Sequence, residues 1–326
     1  MGFDLGDRQI RQPVLLAPLA GITDLPFRSL VSRFGAGLVV SEMIASAEFL
    51  TARPGTREKA ELGAQIENTS VQIAGREPGP MAEAARRVAD MGARVIDINM
   101  GCPAKKVTGG WSGSALMRVP DHALRLIEAV VNAVSLPVTL KTRLGWDAET
   151  QNAPDLARRA EAAGVRMIVI HGRTRCQFYK GTADWEAISK VKNAVQVPVI
   201  ANGDIFDAGT ARQALQRSGA AGVMIGRGAQ GAPWRLAEVA SALYGAPAPD
   251  VPDGRARVDL VSEHYEAMLG FYGRVLGGRV ARKHLGWYMD AAGTPAGLRK
   301  LLLTERDPDK VLDLLPDALN VRAEAA

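Results

Sequence analysis

The feature that most constrains this chain is a repeat of pattern. Over its first three quarters, short runs rich in Val, Ile and Leu alternate with a polar or glycine-bearing turn and an amphipathic stretch. The apolar runs fall at residues 14–17, 38–41, 70–73, 95–99, 138–141, 167–171, 197–201 and 222–225. Runs this short and this continuously apolar suit strands covered on both faces, as in a parallel sheet. The stretches between them, at 81–91, 122–133, 155–163, 185–192 and 208–217, have helical spacing, and several end at a glycine (Gly92, Gly164, Gly219) able to take the left-handed cap conformation. Eight βα units in series, with no large irregular insertion, predict an α/β fold of the (β/α)8 TIM-barrel type over a doubly wound open sheet.

A barrel of about 250 residues does not use up the 326 present, so a second domain is expected. Residues 244–254 read Tyr-Gly-Ala-Pro-Ala-Pro-Asp-Val-Pro-Asp-Gly, a passage that can neither continue a helix nor enter a central strand. The predicted division is therefore a barrel over 1–243, a linker over 244–254 and a small helical bundle over 255–326, with helices at 258–272, 280–290, 297–304 and 308–315. A hydrophobic share of 47% with 23% charged residues is enough to bury a full core and excludes a disordered or fibrous chain. The first eleven residues contain no continuous apolar stretch, so neither a signal peptide nor a membrane anchor is expected and a cytoplasmic location is. The two cysteines, Cys102 and Cys176, lack metal-ligand spacing, so no metal and no disulfide are expected. A monomer is the default.

In a barrel the functional side chains stand where strands end. Here the strand ends carry Ala17-Pro18, Glu42, Gln72, Asn99, Lys141 with Arg143, His171 with Arg173, Asn202-Gly203-Asp204 and Gly226-Arg227. Each has an ordinary structural explanation by itself. Together they would bring amide, ammonium, imidazole and guanidinium groups to one rim, which suits an anionic, hydrogen-bonding ligand. The last two loops supply the phosphate-type elements: small residues that expose backbone N–H groups, and Arg227 beside them. Residues 226–231 also match G-x-G-x-x-G, but they follow the last strand instead of opening the first βα unit, so a dinucleotide site is not inferred. The loops after strands seven and eight favour a mononucleotide.

Cys102 lies in Asn99-Met100-Gly101-Cys102-Pro103-Ala104-Lys105-Lys106, a turn able to present a side chain over the barrel mouth. A buried inert thiol is the alternative. From Arg274 to Lys300 there are six Lys or Arg residues and one acid, Asp290, a local excess that suits a polyanion or a solvated helix face. The net charge of +5 permits a polyanionic partner without proving one.

Several segments, taken in order, resemble the bacterial tRNA-dihydrouridine synthases, most closely the DusB type: Ala17-Pro18-Leu19-Ala20-Gly21-Ile22-Thr23-Asp24, Ser41-Glu42-Met43, Val71-Gln72-Ile73-Ala74-Gly75, Asp97-Ile98-Asn99-Met100-Gly101-Cys102-Pro103, His171-Gly172-Arg173-Thr174, Asn202-Gly203-Asp204, Gly226-Arg227 and Ala281-Arg282-Lys283-His284. The segment Gly109-Gly110-Trp111-Ser112 differs from the run usual in that family. The resemblance implies FMN held by Ala17, Pro18, Leu19, Gln72, Asn99, Lys141, His171, Asn202, Gly203, Asp204, Gly226 and Arg227. It also implies NADPH as hydride source, hydride transfer from flavin N5 to uracil C6, and Cys102 as proton donor to C5 of a D-loop uridine, position 17 for the DusB type. A base lifted out of folded tRNA needs grip on the surrounding RNA. The candidates are Lys105, Lys106, Arg173, Arg175, Arg279, Arg282, Lys283 and His284. Two rival readings are an FMN-dependent barrel acting on a free pyrimidine and a catalytically silent RNA-binding regulator. Salt-sensitive tRNA binding and flavin bleaching by NADPH separate them from the first.

Overall fold

The structure is a computed structural model that describes residues 2–51, 59, 61–63 and 68–320. It opens with an antiparallel hairpin, β1 (Phe3–Leu5) and β2 (Arg8–Ile10). Eight strands then form the barrel: β3 (Val14–Leu16), β4 (Leu38–Val40), β6 (Thr69–Ala74), β7 (Val95–Met100), β8 (Val138–Arg143), β9 (Met167–His171), β10 (Val199–Asn202) and β11 (Gly222–Ile225). Every neighbouring pair is parallel, and β11 pairs with β3 to close the cylinder. A two-residue strand, β5 (Ile44–Ala45), lengthens the wall beside β6. The eight strands coincide with the eight apolar runs to within two residues at either end, and the (β/α)8 expectation holds.

Strand pleating divides the residues between two environments. Ile96, Ile98, Leu140, Ile168, Ile170, Val199, Ala201, Val223 and Ile225 join the cluster under the surrounding helices. Their neighbours Leu15, Leu38, Val95, Met167, Val169, Ile200 and Met224 join a second cluster with Leu5 and Ile10 of the hairpin, so the hairpin floors the barrel. Further along the same inward rows the side chains turn polar: Gln72, Asp97, Asn99, Thr139, Lys141, Arg143 and Asn202 are all buried. One end of the cylinder is thus sealed by apolar packing and the other is furnished with hydrogen-bonding groups.

The helices start where the local sequence favours it. Helix α1 (Leu25–Phe34) has Asp24 accepting from Phe27 N as its cap and Pro26 in its first turn, and the helices Trp185–Ala194 and Ala208–Ser218 are capped by Asp184 and Asp207. After the helix Arg235–Tyr244 the chain runs without helix or strand to Gly254. Four helices follow, Gly254–Tyr272, Arg274–Ala292, Ala296–Thr304 and Pro308–Leu319, around a core of their own that includes Val261, Met268, Leu285, Met289, Leu302 and Leu315.

This bundle docks on the first βα unit. Tyr272 donates its hydroxyl to Asp24 (3.1 Å), Arg33 pairs with Glu263, and the Phe27 ring lies 4.9 Å from that of His284 and 5.8 Å from that of His264. His264 and His284 are buried with ring centroids 4.8 Å apart, and a hydrogen bond of 3.0 Å links His264 Nδ1 to the Tyr288 hydroxyl. Burial, aided by the nearby Arg33 charge, pushes the His264 pKa down to about 3, and His284 is held well below its ordinary value for the same first reason. Such histidines are neutral in the fold and take up protons only when the chain unfolds, so their contribution is present above the unfolded pKa of about 6.5 and is lost as pH falls below it. Chemical denaturation of the parent and of His264→Leu at pH 6.5 and 4.5 should show the parent losing more stability over that interval, by up to about 1.4 kcal/mol per pH unit.

Candidate functional site

The polar rim encloses a cavity of about 420 Å3 at the C-terminal ends of the barrel strands, lined by Ala17, Pro18, Leu19, Gln72, Asn99, Cys102, Lys141, His171, Asn202, Gly203, Asp204, Gly226 and Arg227, among others. Every residue that the sequence nominated for the thiol or the cofactor therefore borders one space.

Lys141 donates to Asn202 Oδ1 (3.0 Å), whose amide nitrogen donates to Met224 O (2.8 Å). Burial, with repulsion from Arg143, lowers the Lys141 pKa to about 8, while Asp97 and Cys102 oppose the shift. Asp97 accepts from Thr139 (2.5 Å) and from Gln72 Nε2 (2.6 Å), and burial raises its pKa against those hydrogen bonds and the Lys141 charge. Asn99 donates to Gln72 Oε1 (2.7 Å) and accepts from the backbone N–H groups of Gly101 (3.2 Å) and Cys102 (3.0 Å). Its amide thus fixes the turn that carries the thiol.

The other side of that turn is held equally firmly. Ser114 donates through both its hydroxyl (2.8 Å) and its backbone N–H (3.1 Å) to Cys102 O. Gly113, at φ 60°, lies so close that an added Cβ would come within 2.8 Å of the same carbonyl. Cys102 is half-buried and Cys176 is exposed.

Asp204 adopts φ 53°, and its carboxylate accepts from Arg173 Nη1 (3.0 Å) and Nη2 (2.5 Å), Arg227 Nη2 (3.0 Å) and Ala183 N (2.8 Å). Burial alone would raise its pKa, but the bonds from Arg173 and Ala183 and the two guanidinium charges hold it below the usual carboxylate range. His171 is pushed well below its ordinary value, first by burial and then by Lys141, Arg143, Arg173 and Arg227. It is consequently neutral. Arg173 Nη1 approaches His171 Nε2 at 3.4 Å, and because a guanidinium can only donate, Nε2 accepts and the ring proton belongs on Nδ1. Arg227 is half-exposed, 5.6 Å from the Tyr179 ring and 5.7 Å from that of Phe206. The corner formed by Gly203, Gly226 and Arg227 carries the excess positive charge that an anion needs.

Two nominations for RNA contact are corrected. Arg173 is 1% exposed and its guanidinium is committed to Asp204 and to the carbonyls of Lys180 and Gly181, so it builds the rim and does not face an RNA surface. His284 is 1% exposed among Phe27, His264 and Trp287, where it packs the bundle against the barrel. Lys105, Lys106, Arg279 and Lys283 are exposed, Arg175 and Arg282 are half-buried, and a Cβ on Gly21 would meet Lys283 Nζ at 3.2 Å, so the bundle reaches the mouth there.

Several residues that shape the site had no cofactor or RNA role assigned from the sequence, although Glu42 and Arg143 were recognised as strand-end residues. Arg143 donates to the carbonyls of Gly101 (2.8 Å), Thr174 (3.0 Å) and Phe178 (2.9 Å), bracing the cysteine turn against the loop after β9. Its position two residues beyond Lys141 on the inward row was the available signal. Glu42 accepts from Gly21 N (2.7 Å) and secures the first loop. Phe178, Tyr179 and Phe206 lie in irregular loops, where periodicity offers no signal.

A rim cavity with convergent cations and amides around a half-buried thiol defines a (β/α)8-barrel protein built to hold an anionic ligand. The architecture is shared with histamine dehydrogenase from Rhizobium sp. 4-9 (TM-score 0.57, 12% identity, over 81% of this chain and 50% of that one). A morphinone reductase mutant in complex with tetrahydroNAD shares it as well (TM-score 0.52, 16% identity, over 78% and 92%). The family described as dihydrouridine synthase (Dus) matches residues 15–324. The chain is 66% identical to a "Probable tRNA-dihydrouridine synthase" of Rhodobacter capsulatus over 100% of both sequences. It is 46% identical to a "tRNA-dihydrouridine synthase B" of Xanthomonas axonopodis pv. citri over 97% of this chain and 95% of that one. The chain belongs to the dihydrouridine synthase family.

Gly203 (φ 112°) faces His171 so closely that a Cβ there would lie 2.8 Å from Ala183 Cβ and 3.1 Å from His171 Cδ2. Gly203→Ala should cost about 1–3 kcal/mol in thermal or chemical denaturation. It should also shift the His171 ring resonances in NMR spectra.

Proposed function

We propose that this chain is a flavin-dependent tRNA-dihydrouridine synthase, reducing the C5–C6 bond of a D-loop uridine, position 17 in our reading. The observation that carries the reading is the half-buried Cys102 bordering the same cavity as Lys141, His171 and Arg227 in a member of this family. The donor set fits FMN. A buried ammonium, two amides and a neutral imidazole suit the ring system, and the Gly203, Gly226 and Arg227 corner suits the phosphate.

When bound, FMN supplies a hydride to C6 of the uracil ring, with NADPH as the external reductant. The 5,6 double bond is conjugated to the C4 carbonyl, so addition at C6 leaves enolate character that needs a proton at C5. Cys102 donates that proton, and the turn held by Asn99 and Ser114 keeps the residue in the cavity wall. Lys141 would hold the flavin with a positive charge that favours its reduction, and Gln72 with Asn99 would hydrogen-bond the ring system or the base. The uridine enters everted, because a base stacked in RNA cannot lie flat in a rim cavity. Lys105, Lys106, Arg175, Arg279, Arg282 and Lys283 are the residues assigned to tRNA, with the barrel over 1–243 catalytic and the helices over 255–326 gripping RNA.

Mass mapping of tRNA from cells lacking this protein should show one D-loop dihydrouridine missing, restored by the parent gene and not by Cys102→Ala. Unchanged dihydrouridine in a strain with no redundant enzyme would overturn the reading. In vitro, Cys102→Ala should slow uridine reduction by roughly 10²–10⁴-fold and leave flavin bleaching by NADPH intact. With Lys141 titrating at about 8, the ammonium is present below that pH and lost above it. FMN affinity of the apoprotein, followed by fluorescence quenching, should accordingly fall as pH rises through this value, and Lys141→Met should flatten the profile.

A further inference from the structure

Beside the cysteine turn lies a surface that the flavin and the catalytic thiol do not use. Trp111 is 52% exposed and adopts φ 57°, a region that a bulky aromatic residue rarely occupies. Its backbone N–H donates to Thr108 O (3.2 Å), and two residues on, Gly113 packs against Cys102. The indole therefore projects from the clamp that holds the thiol.

It does not stand alone. The Arg118 guanidinium lies 5.7 Å from the Trp111 ring and 5.0 Å from that of Trp146, and Arg175 covers Trp146 at 4.7 Å. Arg175 in turn reaches Thr108 Oγ1 (3.5 Å), on the short helix Lys105–Thr108 that presents Lys105 and Lys106 to solvent. The result is an alternating row, Trp111, Arg118, Trp146, Arg175, that curls back to two lysines. Among the described residues neither Arg118 nor Arg175 is in an ion pair, in contrast to Arg33, Arg86, Arg159, Arg274 and Arg299. The acids lining the hollow beside Arg118 and Trp146 are Asp147, whose carboxylate already accepts from Thr150 N (2.9 Å) and Oγ1 (2.5 Å), and the exposed Glu149. Arg118, Arg175, Lys105 and Lys106 supply the cations of this surface.

An exposed ring beside guanidinium groups, backed by the half-buried ring of Trp146, suits an unstacked nucleotide, because every base offers a flat face and every linkage an anion. We propose that the Trp111–Arg118–Trp146–Arg175 row is a stacking platform for a single-stranded nucleotide of the tRNA adjacent to the everted uridine. The indole of Trp111 takes the base, and Arg118 with Arg175 takes the flanking phosphates. The proposal rests on the reading of the chain as a tRNA enzyme and assigns the cysteine side of the mouth its own RNA contact, separate from the basic helices of the bundle.

The test uses the FMN-loaded full chain with Trp111→Gly, Trp111→Phe and Arg118→Gln. Three quantities are measured: tRNA dissociation constants over a salt series, the rate of flavin bleaching by NADPH without RNA, and Tm. Glycine is at ease at positive φ, so Trp111→Gly should keep a Tm no lower than the parent's and bleach normally, yet bind tRNA on the order of 10-fold more weakly with an unchanged salt slope. Trp111→Phe should retain most of the affinity. Arg118→Gln should weaken binding and reduce the salt slope by about one. The proposal is overturned if Trp111→Gly binds tRNA within twofold of the parent, since the tRNA reading would then stand without the platform. It is equally overturned if that variant's Tm and bleaching rate both drop, because the indole would then be packing the loop. A parent that binds no tRNA would overturn the reading on which the proposal rests.

Discussion

The site depends on accommodating one ammonium inside the barrel. Lys141 is buried among strands in the cavity lining, and a buried charge is tolerable only when the groups around it answer it. Asn202 accepts its hydrogen bond, and the carboxylate of Asp97 opposes its charge from the neighbouring strand. Asp97 needs partners of its own and finds Thr139 and Gln72; Gln72 accepts from Asn99, and Asn99 caps the turn carrying Cys102. A connected set of side chains on four strands therefore runs from the ammonium to the thiol turn, so charge placement and thiol placement are coupled.

A second network performs the same task for the anionic corner. Asp204 joins Arg173 to Arg227 and also accepts a backbone N–H, so one carboxylate immobilises two guanidinium groups of different exposure. The buried arginine serves as scaffold, and the half-exposed one remains available to the cavity. His171, in the field of four cations, is kept neutral and can act as donor and acceptor without adding charge. The rim combines fixed positive charge with neutral hydrogen-bonding groups, the pairing that a phosphorylated ring compound calls for.

The bundle contributes by location. Its contact with the first βα unit, through Tyr272 on Asp24 and the histidine pair around Phe27, brings Lys283 next to Gly21 at the mouth. Lys283 therefore approaches the loop after the first barrel strand, while Lys106 follows by two residues Ala104, which lines the cavity.

The eight strands, the closure they imply, the helical C-terminal region and the convergence of polar strand-end side chains on one rim were legible in the sequence, because strand and helix periodicity and strand-end position are local properties. Arg143 was legible as a strand-end residue, but its three backbone carbonyl partners were not. Burial could not be read this way: Arg173 and His284 have the composition of RNA-contacting residues, and only the packing of Asp204 against one and of Phe27 against the other puts them inside. Nor could the sequence place Trp111, Trp146, Tyr179 or Phe206, since irregular loops carry no period and their partners are remote along the chain. Local order and the polar groups at the strand ends follow from the order of the residues; which charges face solvent and which rings meet them was decided by tertiary contacts, because burial and Coulomb interactions depend on distance in space and not along the chain.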